Sequence, residues 1–321
     1  MSEQRVLITR RTPPPGVELL RAAGCTVDQL DQVEPPTREE FLRRLGGVAG
    51  AITMLSDRVD AEALDAAGPQ LKVVANFAVG YDNVDLAACR ERGVRVTNTP
   101  GVLTDATADL AWTLILAAAR HVVAGDRLVR DGQWRGWAPT QLLGLQLAGS
   151  TLGLLGAGRI GSAVARRAVG FGMRILYVDQ QSSADLERAT GAKRVELEEL
   201  LAESDVLSLH IPMAPEHRHL IGAAQLAAMK PTAILINTAR GPIVDEAALV
   251  QALRAGRIAA AGFDVYEKEP QLSPGLTELP SVVLLPHLGS ATTATRQRMS
   301  QMTAENVLAV LAGREPPNPV A

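Results

Sequence analysis

Residues 151–161 read Thr-Leu-Gly-Leu-Leu-Gly-Ala-Gly-Arg-Ile-Gly. This is a short apolar run that breaks into G-x-G-x-x-G and continues as a helical pattern, with Ile160, Val164, Ala168 and Phe171 on one face. The order has a physical purpose. Gly156 permits a tight turn, Gly158 lets the backbone approach a pyrophosphate, and Gly161 lets the following helix pack closely on the strand. The helix N-terminus then offers unpaired N–H groups and a partial positive charge to phosphates. In a chain with 28 glycines such a motif can also be a plain strand–helix turn. The next strand-like run, Arg174–Val178, ends in Asp179, whose carboxylate can accept hydrogen bonds from ribose hydroxyls and repels a 2′-phosphate. Gln180, Gln181, Ser182 and Ser183 follow, with no arginine among them. The expected cofactor is therefore NAD(H), with NADP(H) as the alternative.

Outward from this turn, short apolar runs alternate with helical patterns along the whole chain. Strands are expected at Arg5–Thr9, Gly50–Thr53, Leu71–Asn76 and Arg95–Asn98, and then at Thr151–Leu155, Arg174–Val178, Val206–His210, Ala233–Asn237, Ala259–Val265 and Val282–Leu285. Helices are expected at Gly16–Ala23, Thr37–Leu45 and Ala61–Ala67. Short buried strands separated by helices imply parallel sheets with right-handed crossovers. Two such series predict two α/β domains. Thr104 can cap a helix reaching Arg120, whose apolar stretch Leu110–Ala119 reads as a connector packed between domains. A last helix near 291–311 would carry the chain back, giving a first domain at 1–100, a continuous insert at 101–290 and a return at 291–321.

Composition narrows the function classes. At 321 residues, 47% hydrophobic and 21% charged, the chain reads as globular. Its net charge of −3 gives no basic excess for a nucleic-acid backbone. Leu110–Ala119 is about half a membrane span. Cys25 and Cys89 make neither a disulfide framework nor a cysteine zinc site, and no third ligand joins His217 and His219. With no apolar leader pattern after Met1, the expectation is a soluble cytoplasmic protein without metal. No G-x-S-x-G elbow occurs.

Ligands of open α/β sheets bind beyond the carboxyl ends of the strands. There the second series places Arg240 after Asn237, Thr238 and Ala239, then Asp264 and Glu269, then His287 after Pro286. A guanidinium binds a carboxylate in fork geometry. An imidazole gives and takes protons near neutrality, and a carboxylate on its other nitrogen orients it. The trio suits hydride transfer to a 2-oxo acid. His210 also ends a strand and reads as packing or as a wall beside the nicotinamide.

These residues resemble the D-isomer-specific 2-hydroxyacid dehydrogenases. The resemblance rests on GLLGAGRIG at 153–161, SDVLSLHIP at 204–212, MKPTAILINTARGPIVDEAAL at 229–249, GFDVYEKEP at 262–270 and PHLGSAT at 286–292. The stretch 76–120 and Trp137-x-Pro139 are similar to the branch that reduces glyoxylate and hydroxypyruvate. The resemblance implies a Rossmann NAD-binding domain inserted into a flavodoxin-like substrate domain. It implies Arg240, Glu269 and His287 as the catalytic set. Cofactor contacts would come from Gly156, Gly158, Arg159, Ile160, Gly161, Asp179, Pro212, Thr238, Ala239, Asp264 and Gly289. The substrate, a small 2-oxo acid, would meet Leu55, the amides of Val79 and Gly80, Arg240 and His287. It further implies a homodimer, with Trp137 at the partner's pocket or in the dimer packing, and closure by hinges near 98–101 and 288–291. Many relatives that use NADPH carry Ser-Arg or Gly-Arg where this chain has Asp179-Gln180. No C-terminal regulatory domain is expected before Ala321. The alternatives are another D-2-hydroxyacid substrate such as 3-phosphoglycerate, for which Arg58 beside Asp57 is the candidate cation, and an NADH-sensing, corepressor-like binding protein.

Overall fold

The computed structural model describes residues 4–320. The chain opens with β1 (Arg5–Ile8), α1 (Gly16–Ala22), β2 (Thr26–Gln29), α2 (Arg38–Leu45), β3 (Gly50–Thr53), α3 (Ala61–Ala67), β4 (Val73–Asn76), α4 (Leu86–Glu91) and β5 (Arg95–Thr97). It continues through α5 (Thr104–Ala119), α6 (Val122–Arg130), β6 (Thr151–Leu155), α7 (Arg159–Val169), β7 (Arg174–Val178), α8 (Ala184–Thr190), β8 (Lys193–Arg194), α9 (Leu197–Glu203) and β9 (Val206–Leu209). Then come α10 (Ala223–Ala228), β10 (Ile234–Asn237), α11 (Glu246–Arg254), β11 (Ala260–Phe263), β12 (Val282–Leu284) and α12 (Thr293–Leu311). Two compact units result: one runs to Leu103 and resumes at Ser290, and the other is Thr104–Gly289.

The first unit holds a parallel sheet in the order β2-β1-β3-β4-β5, the flavodoxin-like arrangement. Alternate residues of its strands serve two cores. Val6, Ile8, Ile52 and Val73 face α1 and α12, through Val17, Leu20, Ala304 and Val307. Leu7, Ala51, Val74 and Val96 face α2, α3 and α4, through Phe41, Leu64 and Ala88. Covering on both faces is why these strands read as unbroken apolar runs. Helix starts follow local chemistry, with Thr37, Asp60 and Asp85 accepting from backbone amides at the third helical position of α2, α3 and α4.

The second unit holds a seven-stranded parallel sheet in the order β12-β11-β10-β9-β6-β7-β8, the doubly wound dinucleotide-binding order with one further strand. Here α5 starts at the boundary between the units and runs into this unit's core. Its buried residues, among them Ala111, Leu114, Ile115 and Ala118, belong to one core with α7 and the strands β6, β7 and β10 of the same unit. Asp105, Asp109, Thr113, Leu116 and Arg120 form an exposed stripe along it. Trp112 fixes its register by donating Nε1–H to Val164 O at 3.0 Å and stacking on Phe171 at 4.4 Å. Among the described residues no single helix is long and apolar enough to cross a membrane.

Candidate active site

All seven strands of the second unit point one way, so Gly156, Asp179, His210, Thr238, Asp264 and Leu285 leave the sheet at the same edge. The order reverses between β6 and β9, where Leu155 pairs with Leu209. Gly156 therefore lies against His210, and has φ 98°. A Cβ on Gly156 would sit 2.8 Å from the His210 carbonyl carbon, and one on Gly161 would sit 2.1 Å from Gly156 O. The chain itself demands glycine at both positions. Gly158 is different: its φ is an ordinary −66°, and an added Cβ meets nothing within 4 Å. The space above it suits an external group rather than a neighbouring side chain. Gly158 also heads α7 without a side-chain cap, leaving first-turn amides for an anion. Arg159 there is exposed and Ile160 is half-buried.

Asp179 reaches back over this turn. Its Oδ2 accepts from Ala157 N at 2.7 Å and its Oδ1 from Gln180 N at 2.7 Å. A carboxylate has lone pairs beyond these two, so the ribose role is compatible with this geometry. Folding also brings a cation that the local sequence lacks. Arg194, on the edge strand β8, donates Nε–H to Asp179 O at 2.9 Å. Farther along the edge, Pro212 is exposed, Ala239 is half-buried and Gly289 is buried. Thr238 Oγ1 is enclosed without a hydrogen-bond partner. An orphaned hydroxyl, a glycine cradle and a capless helix on one sheet edge fit a dinucleotide.

Three neighbouring strands, β10, β11 and β12, deliver the catalytic candidates. Asn237 is fully buried at the end of β10; its Nδ2–H donates to Arg240 O at 2.9 Å and its Oδ1 accepts from Ala239 N at 3.0 Å. The Arg240 turn is thus fixed by the residue that ends its strand. A Cβ on Gly241 would lie 1.9 Å from the Tyr266 carbonyl carbon. Glycine there lets the arginine turn abut the backbone that leads to Glu269.

His287 is braced by Asp264, which is 1% exposed. Asp264 O accepts from His287 N at 3.0 Å, and its carboxylate accepts from Leu288 N at 2.6 Å and Gly289 N at 2.8 Å. The histidine takes a left-handed φ of 55°, a conformation that needs such support. Its Nδ1 lies 2.9 Å from Glu269 Oε2, while Glu269 Oε1 accepts from Tyr266 N at 3.0 Å. Burial raises the Glu269 pKa, but the His287 hydrogen bond and charge, the Tyr266 amide and the Arg240 charge together bring it below its ordinary value. An ionised carboxylate only accepts, so Nδ1 carries the proton and Nε2 is left for chemistry. Both side chains are about a third exposed, at 36% and 37%, so the pair is reachable.

Three other histidines do not compete. Burial pushes His210 down to about 4, and its Nε2 lies 2.9 Å from Ser208 Oγ, so it is neutral at pH 7. His217 Nδ1 is on Pro212 O at 2.8 Å and His219 Nε2 on Glu267 Oε1 at 2.6 Å. Among the described residues no group of three or more metal-ligating side chains forms. In the first unit, Leu55 is half-buried in the loop after β3, and Val79 and Gly80 follow β4. Arg58 lies 3.0 Å from Asp60 Oδ2.

Sequence reasoning missed Asn237, Gly241 and Arg194 as functional positions, and assigned Asp264 to the cofactor without its brace on His287. Asn237 and Gly241 flank the Thr238–Arg240 turn and carry a signal, since a buried amide and a glycine beside an arginine mark a tightly held loop. Arg194 lies 15 residues from Asp179 and only the pairing of Tyr177 with Arg194 makes them neighbours.

The comparisons with known proteins agree with this architecture. A family model described as D-isomer specific 2-hydroxyacid dehydrogenase, NAD binding domain, matches residues 112–289. The chain is 49% identical to a glyoxylate reductase of Aeropyrum pernix, covering 99% of this chain and 96% of that one. A glyoxylate reductase of Thermococcus onnurineus is 48% identical, covering 98% and 94%. Among solved structures, a Thermus thermophilus protein superposes with a TM-score of 0.93 at 51% identity, covering 99% of this chain and 100% of that one. An NADPH-dependent glyoxylate/hydroxypyruvate reductase of Sinorhizobium meliloti, solved with NADP and malonate, superposes with a TM-score of 0.86 at 36% identity, covering 100% and 97%.

Proposed function

This chain belongs to the D-isomer-specific 2-hydroxyacid dehydrogenase family, and on that premise we propose that it reduces glyoxylate to glycolate, and hydroxypyruvate to D-glycerate, with NADH preferred over NADPH. It is an oxidoreductase acting on 2-oxo acids. The observation that carries the reading is the Glu269–His287 pair at the same sheet edge as Arg240 and the glycine turn.

In this reading Arg240 holds the substrate carboxylate, aided by the amides of Val79 and Gly80 and by contact with Leu55. Gly156, Gly158, Arg159, Ile160 and Gly161 would hold the pyrophosphate, and Asp179 a ribose. Pro212, Thr238, Ala239, Asp264 and Gly289 would surround the nicotinamide. A bound reduced nicotinamide supplies hydride to the carbonyl carbon. His287, protonated on both nitrogens, gives its Nε2 proton to the carbonyl oxygen as negative charge develops there. Glu269 stabilises the imidazolium before the transfer and keeps Nδ1–H oriented after it.

The test is turnover with glyoxylate, hydroxypyruvate, 3-phosphoglycerate and a bulky 2-oxo acid, or the matching hydroxy acid in reverse, each with NADH or NADPH. Saturable reduction of the two small acids supports the reading. Absence of turnover with retained NADH binding would favour a binding protein. In the same assay Asp179→Ala is expected to raise the NADPH/NADH ratio of kcat/KM by about tenfold, because a like-charge clash with the 2′-phosphate is removed. Adding Arg194→Ala should cancel that gain. A ratio that Asp179→Ala leaves unaltered places discrimination elsewhere.

We also assign the active form as a homodimer. Large apolar side chains lie exposed from α5 through the following segment: Leu116, Val122, Val129, Trp134, Trp137 and Leu143. Such a run is expected to be covered. Sedimentation equilibrium should give twice the 34.0 kDa chain mass, and a mass of one chain would refute the assignment. The free, buried Cys25 and Cys89 fit the reducing cytoplasm.

A further inference from the structure

The turn after β4 is held in an unusual way. Ala78 O accepts from Thr99 N at 2.9 Å, Val79 O from Asn98 Nδ2 at 2.8 Å, and Gly80 O from Asn76 Nδ2 at 2.8 Å. The peptides joining these residues are trans, so each carbonyl points opposite to the N–H that follows it. Pinning Ala78 O and Val79 O therefore aims Val79 N–H and Gly80 N–H the other way. Among the described residues neither N–H has a hydrogen-bond partner. Two adjacent donors face outward while the three carbonyls that would repel an anion are tied down.

The asparagines that do this are themselves fixed. Asn76 is fully buried; its Oδ1 accepts from Thr53 Oγ1 at 3.1 Å, and its Nδ2–H also reaches Asn83 Oδ1 at 3.0 Å. Asn83 Nδ2 donates to Met54 O at 3.0 Å and Asp57 O at 2.9 Å, which joins the Leu55 loop to the same network. The backbone of Asn98 is held from α12, where the fully buried Asn306 donates Nδ2–H to Asn98 O at 3.2 Å.

We propose that Asn98 and Asn76 are positioning residues that lock Val79 N–H and Gly80 N–H into a preformed clamp for a small carboxylate, with Asn83 fixing the adjoining Leu55 loop to it. This rests on the reading that a 2-oxo acid is the substrate. A clamp that is rigid before binding loses little entropy on binding, so its removal weakens substrate affinity more than the chemical step. Asn98→Asp makes the sharper change. It sets a carboxylate against Val79 O, and relief comes from turning that peptide so that Gly80 N–H leaves the substrate side.

The experiment compares the parent enzyme with Asn98→Ala and Asn98→Asp in three readouts: KM and kcat for glyoxylate, inhibition by oxamate (a carboxylate with a carbonyl beside it) at saturating NADH, and NADH affinity by fluorescence quenching. Asn98→Ala should raise KM and the oxamate inhibition constant by about tenfold, and Asn98→Asp by more, as expected for losing a hydrogen bond to a charged group. NADH affinity should stay within about twofold, since a binding change that small is under half a kcal/mol. Unchanged KM and inhibition constants, or NADH affinity falling in step with them, overturns the proposal. Parent enzyme labelled with 15N-valine gives a readout that needs no variant to fold. The Val79 amide proton should shift downfield when oxamate is added with NADH, and an unmoved Val79 signal on oxamate binding overturns the clamp. A parent chain inactive on every 2-oxo acid refutes the functional reading, whereas oxamate binding at Val79 would still support the clamp.

Discussion

His287→Ala is expected to lower kcat at least about a hundredfold, the smaller end of what a positioned general acid contributes. The reason is geometric. His287 is the strand-end imidazole whose Nδ1 is occupied by a carboxylate, at 2.9 Å, and whose other nitrogen is left for a substrate. The Glu269 pKa lies below its ordinary value, so the partner stays anionic through neutral pH and holds Nδ1–H in place. His210 cannot replace it, because burial holds that ring neutral, with a pKa pushed down to about 4. Alanine at 287 leaves the brace intact, since Asp264 holds backbone amides rather than the ring. NADH affinity measured by fluorescence should therefore survive while turnover falls. Near-normal kcat in a variant with parental NADH binding would remove His287 from the mechanism.

This division between backbone brace and working side chain explains what the linear sequence could reveal. Strands buried on both faces announce themselves, because β3, β6 and β9 are apolar or small throughout and β10 is apolar up to its last residue, Asn237. Two of the four edge strands do not: β2 reads Thr-Val-Asp-Gln and β8 is only Lys193–Arg194, so neither carries an apolar signal. The glycine turn was legible because its three glycines answer to separate constraints on a short stretch. The environment of α5 is less legible for the opposite reason. Its apolar run covers three sides, and the fourth is marked only by a sparse polar stripe that includes the exposed Leu116. Long-range partners were the largest omission. Arg194 meets Asp179 across a strand pair, and Asp264 meets Leu288 and Gly289 across another, and neither pairing leaves a local trace. Catalytic side chains could be found by residue type and strand position, whereas the groups that hold them had to be found in space.

Arg240→Lys is expected to lower kcat/KM for glyoxylate at least about a hundredfold while keeping the charge, because a point charge replaces a planar fork. The turn shows what lysine would lose. Arg240 Nη1 donates to Ala239 O at 2.8 Å, so the guanidinium is oriented by its own turn before substrate arrives. Asn237 fixes the carbonyl of the same residue, and Gly241 brings the turn against the Tyr266 backbone. An ammonium that donates to Ala239 O has no second coplanar donor to pair with both carboxylate oxygens. It also sits on a flexible stem that must be ordered at each encounter. The loss should be larger for the two-carbon acid, which offers little beyond its carboxylate and carbonyl, than for hydroxypyruvate, whose hydroxymethyl group can make contacts of its own. Steady-state kinetics on both acids, with NADH affinity as the control, decides the matter. Parental kcat/KM in Arg240→Lys would mean that charge alone suffices there, and the carboxylate would then have to be bound elsewhere.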